Sequence, residues 1–127
     1  FNTFGGNAVA AAVGLAVLDV IRDEALMQNA AHVGTAFADG LRDLAMRHDH
    51  IGETRAAGLF LGQDILTDGK PDPARAQRLV NSLRDNRILI SATGPLGHIL
   101  KLRPPLPFST AHVDQVLTTL DKVLRLD

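Results

Sequence analysis

The segment at residues 8–21 constrains the fold most, because it is apolar around its whole circumference. Val, Leu and Ile alternate with alanines throughout it, so a helix built from it has no polar face. Such a helix is normally buried on every side. It is too short and too rich in alanine for a membrane span. We therefore expect a buried helix, although a chain of 127 residues has little else to cover its far side.

Composition limits the rest of the chain to one globular unit. It has 127 residues, 46% of them hydrophobic, which is enough for one domain with a core. The 13 basic and 14 acidic residues are intermixed, with a net charge of −1, so we expect neither a nucleic acid nor a membrane as partner. The absence of Cys excludes disulfides and thiolate chemistry and fits a cytoplasmic protein.

Three more helices follow residues 8–21 in the sequence pattern. Apolar residues spaced by three and four from Leu26 predict an amphipathic helix that ends near His48. Asp72-Pro73 supplies an N-cap and a proline for the first turn of the next helix. Ser109 caps the last one.

Three or four short strands lie between these helices. Residues 51–66 predict one or two strands broken near residues 57–58, and residues 88–90 and 99–103 predict two more. Helices and strands do not alternate strictly. The pattern therefore favours an α+β fold, with helices packed on a small, largely antiparallel sheet.

Two short motifs indicate anion binding. In residues 1–7, Thr3 offers a hydroxyl beside a Gly-Gly pair at a helix start, which suits a phosphate; an ordinary turn with an N-cap is the alternative. In residues 100–106, strand alternation places Lys101 and Arg103 on one face, about 7 Å apart, with Leu100 facing the core. A solvated sheet face is the alternative for this pair.

In this order and spacing, residues 1–7, Ile51-Gly52, residues 55–59 and residues 100–106 resemble the C-terminal third of class III aminotransferases. These are fold type I enzymes that use pyridoxal 5'-phosphate (PLP). The resemblance implies that residues 1–24 are a connector with a long apolar helix and that residues 25–127 form the small C-terminal domain. It also implies a homodimer in which Thr3 binds the PLP phosphate of the neighbouring subunit.

The match departs from the family at the substrate site. Many members hold the substrate carboxylate with an arginine where this chain has Lys101, and Arg103 is shifted by two positions. A lysine offers a point charge rather than a two-pronged donor. The pattern resembles members that act on phosphorylated amino alcohols, in which phosphate is eliminated. Ala8 and Ala56 also replace a usual proline and a usual glycine.

The lysines bear on what the chain can catalyse alone. PLP chemistry of this type needs a lysine that binds the cofactor covalently. Neither Lys70 nor Lys122 lies in a context that resembles the family's lysine site. The resemblance places that lysine upstream of the threonine motif, so we expect a catalytically incomplete segment with no catalytic residue of its own.

Other candidate residues are given structural roles. His48-Asp49-His50 lacks a third ligand, so a solvated turn is favoured and no metal site is expected. Arg55 and Asp64 are expected to pair structurally.

Three functions remain open. The main hypothesis is the C-terminal part of a PLP-dependent aminotransferase that acts on a small amine or amino acid. The alternatives are a phospho-lyase of the same family and a stand-alone α+β module in which Lys101 and Arg103 bind an anion without chemistry.

Overall fold

The computed structural model describes residue 3 and residues 5–126, and this part of the chain forms four helices and five strands. In chain order the elements are α1 (Ala8–Asp23), α2 (Leu26–Ala45), β1 (Ile51–Ala57), β2 (Phe60–Thr67), β3 (Lys70–Pro71), α3 (Pro73–Asp85), β4 (Ser91–Thr93), β5 (Ile99–Leu102) and α4 (Thr110–Leu124). The α+β prediction is confirmed, and α3 and α4 begin at the caps expected from the sequence. Asp72 accepts from the Arg75 backbone N–H at 2.8 Å, and Ser109 caps α4.

The sheet is antiparallel, with strand order β1-β2-β5-β4. The short strand β3 pairs with the end of β2, which adds one strand to the three or four expected. Asp68 and Gly69 form the turn between them at φ 52° and 73°. Positive φ at both central residues matches the twist of a tight hairpin, so β2 and β3 pair across this turn.

The strand predicted at residues 88–90 is wrong, because β4 begins at Ser91. The Ile88 N–H donates to the Leu83 carbonyl at 2.9 Å, so this residue still closes the end of α3. Arg87 before it has a left-handed φ of 66°. Pairing with β5 starts where Ser91 faces Lys101.

The core lies between one face of the sheet and helices α2, α3 and α4. Sheet residues pointing inward alternate along each strand, as Leu61 and Ile65 do on β2 and Leu100 and Leu102 do on β5. The large helix side chains that are most completely buried are Phe37, Leu41, Leu44, Leu79, Leu83 and Leu120. The apolar stripe predicted for α2 therefore faces the sheet and α4.

Helix α1 lies outside this core. Among the elements it contacts only α2, and none of its residues is buried. Apart from the partly buried Ile21, its large apolar side chains are about half exposed or more, from Val20 at 48% to Val9 at 73%. The helix predicted at residues 8–21 is thus confirmed, but its expected burial is wrong within this chain, because no other described element reaches its far side. Ala25, at φ 51°, separates it from α2.

No helix among residues 5–126 is long and apolar enough to cross a membrane.

Candidate functional site

The N-terminal turn leaves the Thr3 side chain exposed in a bend just before α1. Asn7 caps the helix, and its side-chain oxygen accepts from the backbone N–H groups of Val9 at 2.9 Å and Ala10 at 3.0 Å. A Cβ built on Gly6 would meet nothing within 4 Å, so the turn is open on that side. Phe1, Asn2 and Phe4 of the predicted motif lie outside the described residues. The phosphate role of Thr3 stays a prediction.

The outer face of the sheet, away from the three core helices, carries two cations on either side of a glycine. Arg55 of β1 pairs with Gly62 of β2, which in turn pairs with Lys101 of β5. Gly62 has no side chain, so the space between the cations stays open. A cavity of about 370 Å³ occupies it, lined also by Phe60 and Thr93. We call this cavity the outer-face pocket.

Lys101 is half-buried in this pocket, and no ion pair or hydrogen bond of its ammonium group occurs among residues 5–126. A half-buried cation without a carboxylate partner suits an incoming anion, which would gain charge-assisted hydrogen bonds there. Ser91 of β4 pairs with Lys101, so a hydroxyl-bearing residue lies next to Lys101 on the same face of the sheet.

Arg103 lines a different cavity. Strand β5 ends at Leu102, so strict alternation does not extend to Arg103. Its cavity has a volume of about 310 Å³ and is lined by Arg87, Phe37 and Phe108 among others. The outer-face pocket does not include Arg103. The two cations proposed from the sequence as one anion site therefore line two pockets, in which Arg103 lies with Arg87 and Lys101 lies with Arg55.

The predicted pairing of Arg55 with Asp64 is confirmed. The guanidinium donates two hydrogen bonds to the Asp64 carboxylate, one of them at 3.1 Å, and a third to Glu53 at 2.6 Å. The hydrogen bonds to Asp64 and then to Glu53 raise the pKa of Arg55 above its ordinary value. Arg55 therefore stays charged and is held at the wall of the outer-face pocket.

His48 is held in a structural cluster. Its Nε2 lies 2.7 Å from the Asp121 carboxylate, which also accepts from Arg47 at 2.9 Å and from Arg125 at 2.8 Å. This cluster ties the end of α2 to α4. The hydrogen bond from His48, and then that from Arg125, hold the pKa of Asp121 below its usual value. Residues 5–126 contain no group of three or more His, Cys, Asp or Glu arranged to hold a metal ion.

Two buried polar residues were not predicted. Gln63 is fully buried, accepts from the Thr54 hydroxyl at 2.6 Å and donates to the Gly52 carbonyl at 3.0 Å, where β1 bulges between Ile51 and Thr54. Its position between Leu61 and Ile65, on the inward face of β2, was a usable sequence signal. His98 is 8% exposed, and it precedes β5 without any pattern that distinguishes it from a loop residue.

The fold is shared with aminotransferases of fold type I and with a phospholyase of the same architecture. The family model described as Aminotransferase class-III matches residues 1–124, and the chain belongs to this family.

The relatives of this chain include proteins named as phospho-lyases and proteins named as aminotransferases. It is 40% identical to an ethanolamine-phosphate phospho-lyase homolog from Caenorhabditis elegans over 99% of this chain and 28% of that protein. It is 37% identical to an alanine–glyoxylate aminotransferase 2 homolog from Arabidopsis thaliana over 95% of this chain and 26% of that protein. The solved phospholyase from Arthrobacter in complex with phosphoethanolamine matches at 40% identity with a TM-score of 0.94, over 98% of this chain and 30% of that chain. The chain thus spans less than a third of the length of these relatives.

Proposed function

We propose that this chain is the C-terminal region of a longer PLP-dependent enzyme, in which residues 1–24 are the connector and residues 25–127 the small domain. The exposed apolar surface of α1 supports this division, since an apolar helix is stable when other parts of the protein cover it. The relatives are more than three times as long as the stretch they share with this chain, which leaves room for that cover. We assign the enzyme to the cytoplasm as a homodimer.

Thr3 is the residue of this chain that would hold PLP. Its exposed hydroxyl suits donation to a phosphate oxygen, and the open Gly6 side of the turn leaves space for the group. The N–H groups of Val9 and Ala10 are already bound by Asn7, so they are not additional phosphate donors. Bound PLP supplies an electron sink for bond cleavage next to the amine of the substrate. Lys70 and Lys122 are exposed on β3 and α4, and we assign the cofactor-binding lysine to residues outside this chain.

Lys101 would bind the acidic group of the substrate. The observation that carries this proposal is its half-buried position in the outer-face pocket, across Gly62 from Arg55 and without a carboxylate partner among residues 5–126. Lys101 brings a free ammonium, and Arg55 has N–H groups beyond the three that bind Asp64 and Glu53; a phosphate, with more oxygens and more charge than a carboxylate, gains more from both. A point-charge ammonium suits such a group better than it suits planar recognition of a carboxylate. Arg103 stays a weaker candidate, since it lines the other pocket.

The reaction we propose is therefore elimination of phosphate from a small phosphorylated amine, with release of ammonia and an aldehyde after addition of water. The names of the two relatives at 40% identity agree with this substrate class. Transfer of the amino group to a keto acid is the second candidate, favoured by the aminotransferase relative at 37% identity.

The test uses the full-length protein loaded with PLP and supplied with O-phosphoethanolamine. We expect inorganic phosphate to be released without any added keto acid. Removing one charge-assisted hydrogen bond by Lys101→Ala should raise KM by about tenfold to 100-fold, while the matched variant Lys122→Ala, on the exposed face of α4, leaves KM unchanged. Amino transfer to pyruvate with no phosphate release would refute the elimination, and an unchanged KM in Lys101→Ala would refute the role of Lys101.

A further inference from the structure

His98 is a buried ionisable side chain among the described residues, and it has no role in the proposed binding of PLP or substrate. It is 8% exposed and sits immediately before β5, where its backbone carbonyl accepts from the Ile65 N–H at 2.9 Å. Its ring Nδ1 is buried and makes no hydrogen bond with any described residue. A buried polar atom without a partner is destabilising, so the approach of the other ring nitrogen to a charged group matters for this side chain.

The other ring nitrogen of His98 faces the carboxylate that holds Arg55. His98 Nε2 lies 4.0 Å from Asp64 Oδ1, and the side chains of His98 and Asp64 are only 11% and 17% exposed. The same carboxylate accepts the two hydrogen bonds from Arg55. The Asp64 carboxylate thus lies between a buried imidazole and a guanidinium at the pocket wall.

The orientation of Arg55 depends on this carboxylate. Asp64 is on the outer face of β2, two residues from Gly62, and its partner in the register is Ile99, the residue after His98. Glu53, the second partner of Arg55, has a side chain that is 69% exposed and gives a weaker anchor. Displacement of Asp64 would therefore release Arg55 from its position across Gly62 from Lys101.

We propose that His98 is a positioning residue for the outer-face pocket: its ring packs against the Asp64 carboxylate from the buried side, with 4.0 Å between Nε2 and Oδ1, and so keeps the Arg55 guanidinium directed at an anion bound by Lys101. This inference rests on the proposed function in one respect, since it takes the phosphate of the substrate as that anion. His98 itself does not touch the substrate. Its effect passes through Asp64 and Arg55 to the affinity for phosphate and leaves the bond-breaking step alone.

Four variants of the full-length, PLP-loaded protein test the role. His98→Leu removes both ring nitrogens at similar volume, His98→Gln retains a side-chain N–H donor, and Asp64→Asn weakens the same link from the exposed side. His32→Leu is the matched control, because His32 is exposed on α2 and lines none of the pockets near the sheet face. Affinity is measured by calorimetric titration with inorganic phosphate, and KM and kcat with O-phosphoethanolamine.

We expect His98→Leu and Asp64→Asn each to weaken phosphate binding and to raise KM by about threefold to tenfold, with kcat within about twofold of wild type. The two changes together should weaken binding no more than Asp64→Asn alone, because the effect of His98 passes through the Asp64 carboxylate. His98→Gln should recover most of the affinity, and His32→Leu should match wild type.

The proposal is overturned if His98→Leu binds phosphate as wild type does, if His98→Gln is no better than His98→Leu, or if the thermal midpoint and kcat fall while KM is unchanged. Should His98→Leu fail to fold, Asp64→Asn and His98→Gln still decide the question through phosphate affinity. Wild-type protein that binds phosphate but releases none from O-phosphoethanolamine refutes the proposed reaction, while the titrations still test His98. Wild-type protein that binds no phosphate overturns both.

Discussion

The exposure of α1 leads to a prediction about Leu18. This side chain is 61% exposed on a helix that, among the described elements, contacts only α2. Complete burial of a leucine is worth about 1.5–3 kcal/mol. At most two-fifths of Leu18 is buried, so its burial contributes at most about two-fifths of that energy. Leu18→Ala should therefore lower the free energy of unfolding of the 127-residue chain by about 1 kcal/mol or less. Leu41, at 0% exposure, is the matched buried leucine, and Leu41→Ala should cost about 2–5 kcal/mol.

The assay is urea unfolding of the 127-residue chain, followed by far-ultraviolet circular dichroism. We expect the midpoint of Leu18→Ala to stay near wild type and that of Leu41→Ala to fall well below it. In the full-length protein, where we propose that other residues cover α1, both substitutions should lower the thermal midpoint. A Leu18→Ala cost in the 127-residue chain equal to that of Leu41→Ala would refute an uncovered α1. An unchanged midpoint in the full-length protein would refute the proposed cover.

Two further predictions concern the stability of the small domain. Gly34→Ala should destabilise it by about 1–3 kcal/mol, because the new Cβ on α2 would overlap the backbone carbonyl of Gly58; Gly14→Ala on α1 meets nothing within 4 Å and should stabilise by about 0.5–1 kcal/mol. Equal thermal midpoints for these two variants would contradict the close approach of α2 to the β1–β2 turn. Asp121→Asn should be less stable than wild type above about pH 5, with the gap closing as the pH falls below the unfolded aspartate pKa of about 3.9. Folding lowers the pKa of Asp121, so the ionised carboxylate stabilises the folded state. This stabilisation is lost as the pH falls through the lowered pKa. Denaturant midpoints from pH 2 to 7 measure it, and a gap that widens in acid would exclude this cause.

Periodicity and capping residues predict most of the fold. The stripe that starts at Leu26, the Asp72 and Ser109 caps and the break after Ala57 each act through contacts within a few residues, so they can be read from the sequence. The strand predicted at residues 88–90 is wrong for a non-local reason. An apolar triplet is typical of a strand, but Ile88 is held by the end of α3, and β4 starts only where β5 lies alongside it.

The candidate site is less predictable, because it depends on which strands lie side by side. Lys101 was found from its sequence context, but its position across Gly62 from Arg55 follows from the placement of β2 between β1 and β5. The sequence-based prediction placed Arg103 beside Lys101 because side chains alternate along a strand, but β5 ends at Leu102, before Arg103. His98 carries no sequence signal, since its contact with Asp64 joins two residues 34 positions apart.

Lys101 is proposed to bind the phosphate of a phosphorylated amine at the outer-face pocket. A crystal structure of the full-length protein with PLP and O-phosphoethanolamine decides this. We expect a substrate phosphate oxygen within about 3 Å of Lys101 Nζ, with the Arg55 guanidinium on the opposite side of Gly62. A substrate phosphate bound at Arg103, or in a place that touches neither Lys101 nor Arg55, would contradict it.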